Sequence, residues 1–129
     1  SQGDGSWFTS TAAGLEADQY DDSFCFFLDN TEFQYNNNGL TINPFNGYAA
    51  ESFAGVSDPT WTFSEGTGTG GSDQIILPLG MFLGVRDASN VYDILTISET
   101  ELIVQAPIIN EDGTPNVNNG WFELYFIAQ

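Results

Sequence analysis

The sequence has almost no positive charge. Its 129 residues include 18 acidic side chains and a single basic one, Arg86, so the formal net charge is −17. Such a chain cannot neutralise phosphates, and we therefore exclude nucleic acid as a partner. The same repulsion disfavours an anionic membrane surface and a polyanionic glycan. Neutral ligands and cations remain, although acidic residues also serve simply to keep an exposed protein soluble.

Histidine is absent and there is a single cysteine. The absence of His removes Ser-His-Asp triads and the commonest zinc ligand. Cys25 is the one cysteine, so no internal disulfide forms, and its place in Phe-Cys-Phe-Phe predicts a small buried hydrophobe.

Glycoside hydrolysis needs two carboxylates held across a cleft. Glu99 and Glu101 alternate, but in an expected hairpin turn that faces water, so we predict a domain that is not an enzyme.

Long apolar runs are absent as well. No stretch approaches the roughly 20 apolar residues that a membrane-spanning helix needs, and no signal peptide is recognisable. With 41% hydrophobic residues the chain can still fold around a core. We expect residues 1–129 to form a single β domain, one monomeric module of a longer secreted protein, with residues 1–6 as the stub of a linker and no membrane insertion.

The chain does contain many short apolar runs separated by turn residues. Runs that are rich in β-branched and aromatic residues and bounded by Gly, Asn, Ser and Asp are typical of strands. Residues 92–97 and 102–105 predict one antiparallel hairpin, and residues 23–28 and 32–35 predict another. About eight to ten short strands without strand–helix alternation predict an all-β fold, either an antiparallel β-sandwich or a lipocalin-like barrel.

Three further segments carry expectations of their own. Residues 81–83, Met-Phe-Leu, are expected to form a short strand like the other apolar runs. Residues 45–59 are expected to form a long irregular connection. Residues 65–72 are almost entirely Gly and Thr, and we call them the Gly-Thr segment; this composition predicts a mobile loop.

The order and spacing of several motifs form a pattern over nearly the whole chain. It comprises Trp7, Ala-Ala-Gly at 12–14, Tyr-Asp-Asp-Ser-Phe-Cys-Phe at 20–26, Glu-Phe-Gln-Tyr-Asn-Asn-Asn-Gly at 32–39, Pro-Thr-Trp-Thr-Phe at 59–63, Met-Phe-Leu-Gly at 81–84, residues 92–97 with 101–104, and Trp-Phe at 121–122. This pattern resembles the lipocalin-like all-β modules of Bacteroidetes polysaccharide-utilisation systems. There they accompany PKD-type domains in surface glycan-binding lipoproteins and laminarinase-type glycoside hydrolases. The resemblance implies a carbohydrate-binding module at the outer-membrane surface or in the extracellular space, with a β-glucan such as laminarin as ligand.

Sugar binding needs aromatic rings for the CH faces of pyranoses and planar polar groups for the hydroxyls. The chain offers three Trp and five Tyr residues. The candidate ligand-binding residues are Trp7, Tyr20, Tyr48, Trp61, Trp121 and Tyr125. For Trp61 the alternative is core packing on a face shared with Phe63, and for Trp7 it is closure of the end of a barrel. The loop tyrosines Tyr20 and Tyr48 are placed to line the rim of a binding site.

The last predicted strand, residues 121–129, alternates in character. Phe122, Leu124 and Phe126 fall on one face, which is clearly apolar. Trp121, Glu123 and Tyr125 fall on the other and form a polar-aromatic row. We interpret this row as a binding surface, and the alternative is that a loop covers it.

A cation is the other ligand class that the charge allows. Asn110 and Asp112 stand in Asn-Glu-Asp-Gly, which resembles part of a Ca²⁺ loop but lacks the full EF-hand pattern. The alternative is a solvated Asx-rich turn, and we expect no cofactor beyond this candidate structural Ca²⁺.

For the whole chain, the rival interpretations are a spacer domain whose aromatics are all core, or a barrel that binds a small apolar ligand.

Overall fold

The computed structural model describes residues 22–37, 39–116 and 120–128. These residues contain nine strands and two single turns of 3₁₀ helix, Pro44–Asn46 and Thr69–Gly71. The strands are β1 (Ser23–Phe26), β2 (Phe33–Asn36), β3 (Thr41–Asn43), β4 (Ala49–Glu51), β5 (Thr62–Ser64), β6 (Gln74–Ile76), β7 (Val91–Ile97), β8 (Glu101–Pro107) and β9 (Trp121–Ile127). The predicted all-β class and strand number are confirmed.

The strands form three antiparallel sheets. The main sheet has five strands in the order β5-β6-β7-β8-β9, and β1-β2 and β3-β4 are two-stranded. The layered arrangement is consistent with the β-sandwich prediction. The lipocalin-like barrel is wrong for the described part of the chain, because β5 and β9 lie at opposite ends of the main sheet and are not paired with each other.

Both predicted hairpins are confirmed. β7 and β8 pair antiparallel, and the polar turn between them is closed by the Ser98 N–H, which donates to the carbonyl of Glu101 at 2.9 Å. The Ser98 hydroxyl also accepts from the backbone N–H groups of Thr100 and Glu101. Such side-chain bonds to nearby backbone are what make Ser a frequent turn residue. Glu101 itself opens β8 and is exposed.

The inner face of the main sheet is the core. Along β6 to β9 every second side chain is buried there: Ile75, Tyr92, Val104, Ala106, Phe122 and Leu124. The β1-β2 hairpin covers this face, with Phe33 buried in the same cluster and Phe24 edge-to-face against Phe126 at 5.8 Å. The alternation predicted for residues 121–129 is therefore confirmed for Phe122, Leu124 and Phe126, the last of which is half-buried.

One hydroxyl lies at the centre of this core. The Tyr92 hydroxyl accepts a hydrogen bond from the Leu83 backbone N–H at 2.8 Å. Burial raises the pKa of Tyr92 above its usual range, so the phenol stays neutral. The bond satisfies a backbone donor that would otherwise be buried without a partner.

The expectation for residues 81–83 is wrong. Met81, Phe82 and Leu83 are buried, but they form turns rather than a strand: the Met81 N–H donates to the Pro78 carbonyl, and the Val85 N–H donates to the Leu83 carbonyl. A short apolar run cannot distinguish a strand from a turn that inserts into the core, because both bury their side chains.

Two other expectations are also wrong. Residues 45–59 are not wholly irregular, because they contain β4, which pairs with β3. Cys25 is exposed rather than buried. It alternates with Phe24 and Phe26, which pack against the core, and its partner across the hairpin is the exposed Gln34.

Candidate functional site

The face of the main sheet opposite the core is the candidate site. We call it the outer face and define it by the side chains that alternate with the buried ones. From β5 to β9 these are Thr62, Ser64, Gln74, Ile76, Val91, Asp93, Thr96, Glu101, Ile103, Gln105, Pro107, Trp121, Glu123, Tyr125 and Ile127. A sheet face of this kind presents side chains in rows that cross the strands.

A polar row crosses all five strands of the outer face. The strand registers pair Glu123 with Gln105, Gln105 with Asp93, Asp93 with Gln74, and Gln74 with Ser64. Neighbouring strands lie about 4.8 Å apart, so directly opposed side chains are in reach of one another. The row therefore supplies carboxylate, amide and hydroxyl groups in a single line.

Two aromatic side chains flank this row on β9. Trp121 lies two residues before Glu123, and Tyr125 lies two residues after it. The Cα atoms of Trp121 and Tyr125 are therefore about 14 Å apart along an extended strand. Trp121 is 53% exposed and Tyr125 is 42% exposed. The Tyr125 hydroxyl donates to the Glu123 carboxylate at 2.6 Å, which fixes the phenol beside the acid. The polar-aromatic row predicted for β9 is formed.

Trp61 lies on the other side of the main sheet. Its ring is half-buried and edge-to-face with Phe26, the ring centroids 5.5 Å apart, and its indole N–H donates to the Phe27 carbonyl at 3.1 Å. The next residue, Thr62, belongs to the outer face, so Trp61 turns inward. Of the two alternatives for Trp61, the contacts favour core packing.

Tyr48 is exposed but stands apart from the outer face. It lies in the turn between the 3₁₀ helix and β4, whose sheet with β3 is separate from the main sheet, and it is 64% exposed. The candidates Trp7 and Tyr20, and the linker stub 1–6, lie outside the described residues. Within the described part of the chain, the structure thus brings together two predicted site residues, Trp121 and Tyr125.

Asn110 and Asp112 lie in a turn closed by its own hydrogen bonds. One Asp112 carboxylate oxygen accepts from the Thr114 N–H at 2.9 Å and from the Thr114 hydroxyl at 2.6 Å, and these bonds hold the pKa of Asp112 below its ordinary value. The Asn110 amide donates to the Thr114 hydroxyl and accepts from Asn116. Among residues 22–37, 39–116 and 120–128, no group of three or more His, Cys, Asp or Glu side chains is placed to hold a metal. The geometry matches the Asx-rich turn.

The one basic side chain of the sequence has structural contacts. Arg86 donates to the Glu51 carboxylate at 3.0 Å, and its guanidinium lies 5.0 Å from the centre of the Phe53 ring. Hydrogen bonds from Asn43 and then from Arg86 lower the pKa of Glu51. Arg86 also lines a cleft of about 440 Å³ together with Phe53 and Phe82. These contacts join β4 to the connection between β6 and β7.

The polar row was not foreseen, apart from Glu123. Gln105 and Asp93 each interrupt an otherwise apolar strand, and this interruption is the signal that points to a solvent-facing position. Their alignment with Gln74 depends on the registers of strands that are distant in sequence. Periodicity within a single strand carries no information about those registers.

Comparisons of the chain with protein-family models, with curated proteins and with solved structures returned no match. In the described residues there is no helix of the length and apolar character needed to cross a membrane. The assignment of a function therefore rests on the side chains of the outer face.

Proposed function

We propose that this domain is a non-catalytic carbohydrate-binding module for a neutral polysaccharide, with a β-glucan such as laminarin as the preferred ligand. It acts outside the cell, at the surface or as part of a secreted enzyme. The observation that carries the proposal is the pair of exposed aromatics, Trp121 and Tyr125, on either side of a polar row. Both rings lie on the same face of one strand, and a spacer domain has no use for such an exposed pair.

Binding would occur by stacking and hydrogen bonding. Trp and Tyr offer large rigid surfaces to the CH faces of sugar rings at low cost in conformational entropy. Between them, the Glu123 carboxylate accepts hydrogen bonds from hydroxyls, and the Gln105 amide both donates and accepts. An open surface of this kind gives modest affinity, about 10–1000 μM per site. Tethering to other modules raises the avidity.

Charge selects for a neutral ligand. The net charge of −17 repels an anionic polymer, and the polar row itself contains Glu123 and Asp93. Uronates and sulfated glycans are therefore expected to be excluded at low salt. A glucan has no charge and meets no such barrier.

Affinity electrophoresis tests the proposal on the whole chain. Native gels containing laminarin, mixed-linkage glucan, xylan, mannan or alginate are compared with a gel without polysaccharide. We expect a neutral β-glucan to retard the protein and alginate to leave its mobility unchanged. Unchanged mobility on every gel would contradict a glycan-binding role and favour the spacer interpretation.

A further inference from the structure

The Gly-Thr segment is fastened onto the outer face. The Thr67 hydroxyl lies 2.7 Å from the Ser64 hydroxyl and 2.8 Å from the Gln74 side-chain oxygen. The Thr69 N–H donates to the Asp93 carboxylate at 3.2 Å. The composition predicted a mobile loop, but these bonds tie the segment to three strands of the main sheet.

Gly68 shows how closely the segment approaches the sheet. A Cβ atom at Gly68 would collide with the Asp93 carboxylate and would lie 2.8 Å from the Ser72 carbonyl oxygen. A residue without a side chain is required where backbone comes this near to another group. The Gln74 amide also donates to Asp93 at 2.8 Å, so each oxygen of the carboxylate accepts a hydrogen bond from the protein itself.

These contacts divide the polar row in two. The part on β5, β6 and β7 is covered, because Ser64, Gln74 and Asp93 bond to the Gly-Thr segment. The part on β8 and β9, Gln105 and Glu123, has no such cover from it. We call the surface that remains the outer strip and define it as Ile103, Gln105, Trp121, Glu123 and Tyr125.

The shape of the outer strip favours one direction for a bound polymer. It is two strands wide, about 5 Å between strand axes, and about 14 Å long between its two aromatic residues. Beside Gln105 it is bounded by Asp93 and by the Gly-Thr segment that bonds to Asp93, and beside Ile103 lies Thr96. Both of its ends are exposed, with Pro107 beside Trp121 at one end and Glu101 beside Ile127 at the other.

We propose that the glycan lies along β8 and β9, parallel to the strands, and that it is bound through internal sugar units rather than through a chain end. The Gly-Thr segment blocks the path across the sheet that follows the polar row, and the exposed ends of the strip allow the polymer to continue beyond it. Recognition of a chain end needs a pocket that encloses the terminal ring, which side chains on one face of two neighbouring strands do not provide. This inference rests on the proposed function and adds the orientation and the part of the polymer that is recognised.

Titration calorimetry with laminarin oligosaccharides, from disaccharide to hexasaccharide, tests the inference on the intact domain. We expect affinity to rise at least tenfold along the series and then to level off, and several domains to bind one laminarin chain. Equal affinity from the disaccharide upward with one domain per chain would indicate end recognition. It would overturn this inference and leave the proposed function standing. Absence of binding to every sugar would overturn both.

Two glutamines of the polar row give a matched pair of variants. Gln105→Ala removes an amide from the outer strip, and we expect it to weaken binding of the hexasaccharide about threefold to tenfold. Gln74→Ala removes the same amide beneath the Gly-Thr segment and is expected to leave affinity unchanged. Equal weakening by both variants, with melting temperatures unchanged, would place the glycan across the sheet. Unchanged affinity in both would show that the polar row is not contacted, and either result overturns the inference.

Discussion

Replacing Trp121 with alanine is expected to weaken binding to a neutral β-glucan about thirtyfold or more and to leave the melting temperature nearly unchanged. The ring is 53% exposed, so it contributes little to packing, and substitutions at such positions change stability by no more than about 0.5 kcal/mol. An aromatic residue central to an interface typically contributes about 2 kcal/mol or more, which corresponds to that fold-change. Titration calorimetry gives the affinity, and circular dichroism gives the melting temperature.

Phe63→Ala is the matched control for this variant. Phe63 is 51% exposed, close to the value for Trp121, but it pairs with the buried Ile75 and therefore lies on the inner side of the sheet. We expect its affinity for the glucan to equal that of the original protein. Unchanged binding in Trp121→Ala, or an equal loss of affinity in Phe63→Ala, would show that the outer face is not the glycan-binding surface.

Replacing Phe33 with alanine is expected to lower the free energy of unfolding by about 3–5 kcal/mol, as large-to-small changes of buried Phe do. Phe33 is 1% exposed and packs against Phe24 and Phe26, with ring centroids 6.1 and 5.2 Å apart. Phe33 belongs to the same buried cluster as Ile75 and Val104 of the main sheet, so the loss falls on the core between the hairpin and that sheet. Domains of this kind are stable by about 5–15 kcal/mol, and urea unfolding will resolve the change.

The same Phe63→Ala variant serves as the control for stability, because it removes the same atoms from an exposed site. We expect it to cost less than about 1 kcal/mol. If the two variants lose equal stability, Phe33 does not hold the layers together as described.

Local patterns were sufficient to predict the hairpins and the faces of β9. Turn residues such as Ser98 mark the ends of strands, and the alternation from Trp121 to Ile127 identifies the buried face within a single strand. Residues 81–83 show where this reasoning stops. Their apolar character is correctly read as burial, but whether buried residues form a strand depends on a neighbour to pair with, and sequence patterns do not supply that neighbour.

The residues of the candidate site also differ in how far the sequence predicts them. Trp121 and Tyr125 were predicted because their side chains alternate with apolar ones in one strand. The sequence around Trp61 is similar in composition to that around Trp121. Only the contacts of Trp61 with Phe26 and the Phe27 carbonyl show that it does not belong to the outer face. The Gly-Thr segment was expected to be mobile because Gly-rich composition lowers local order. Its bond to Asp93, which is distant in sequence, could not be foreseen.

Backbone and side-chain NMR during titration with a laminarin hexasaccharide tests the central claim most directly, namely that the outer face binds a neutral glucan. The Trp121 indole N–H and the Gln105 amide are expected to shift with saturation. The Trp61 indole N–H is bonded to the Phe27 carbonyl and is expected to stay in place. Shifts centred on Trp61 or on the Arg86 cleft, with Trp121 unmoved, would contradict the account.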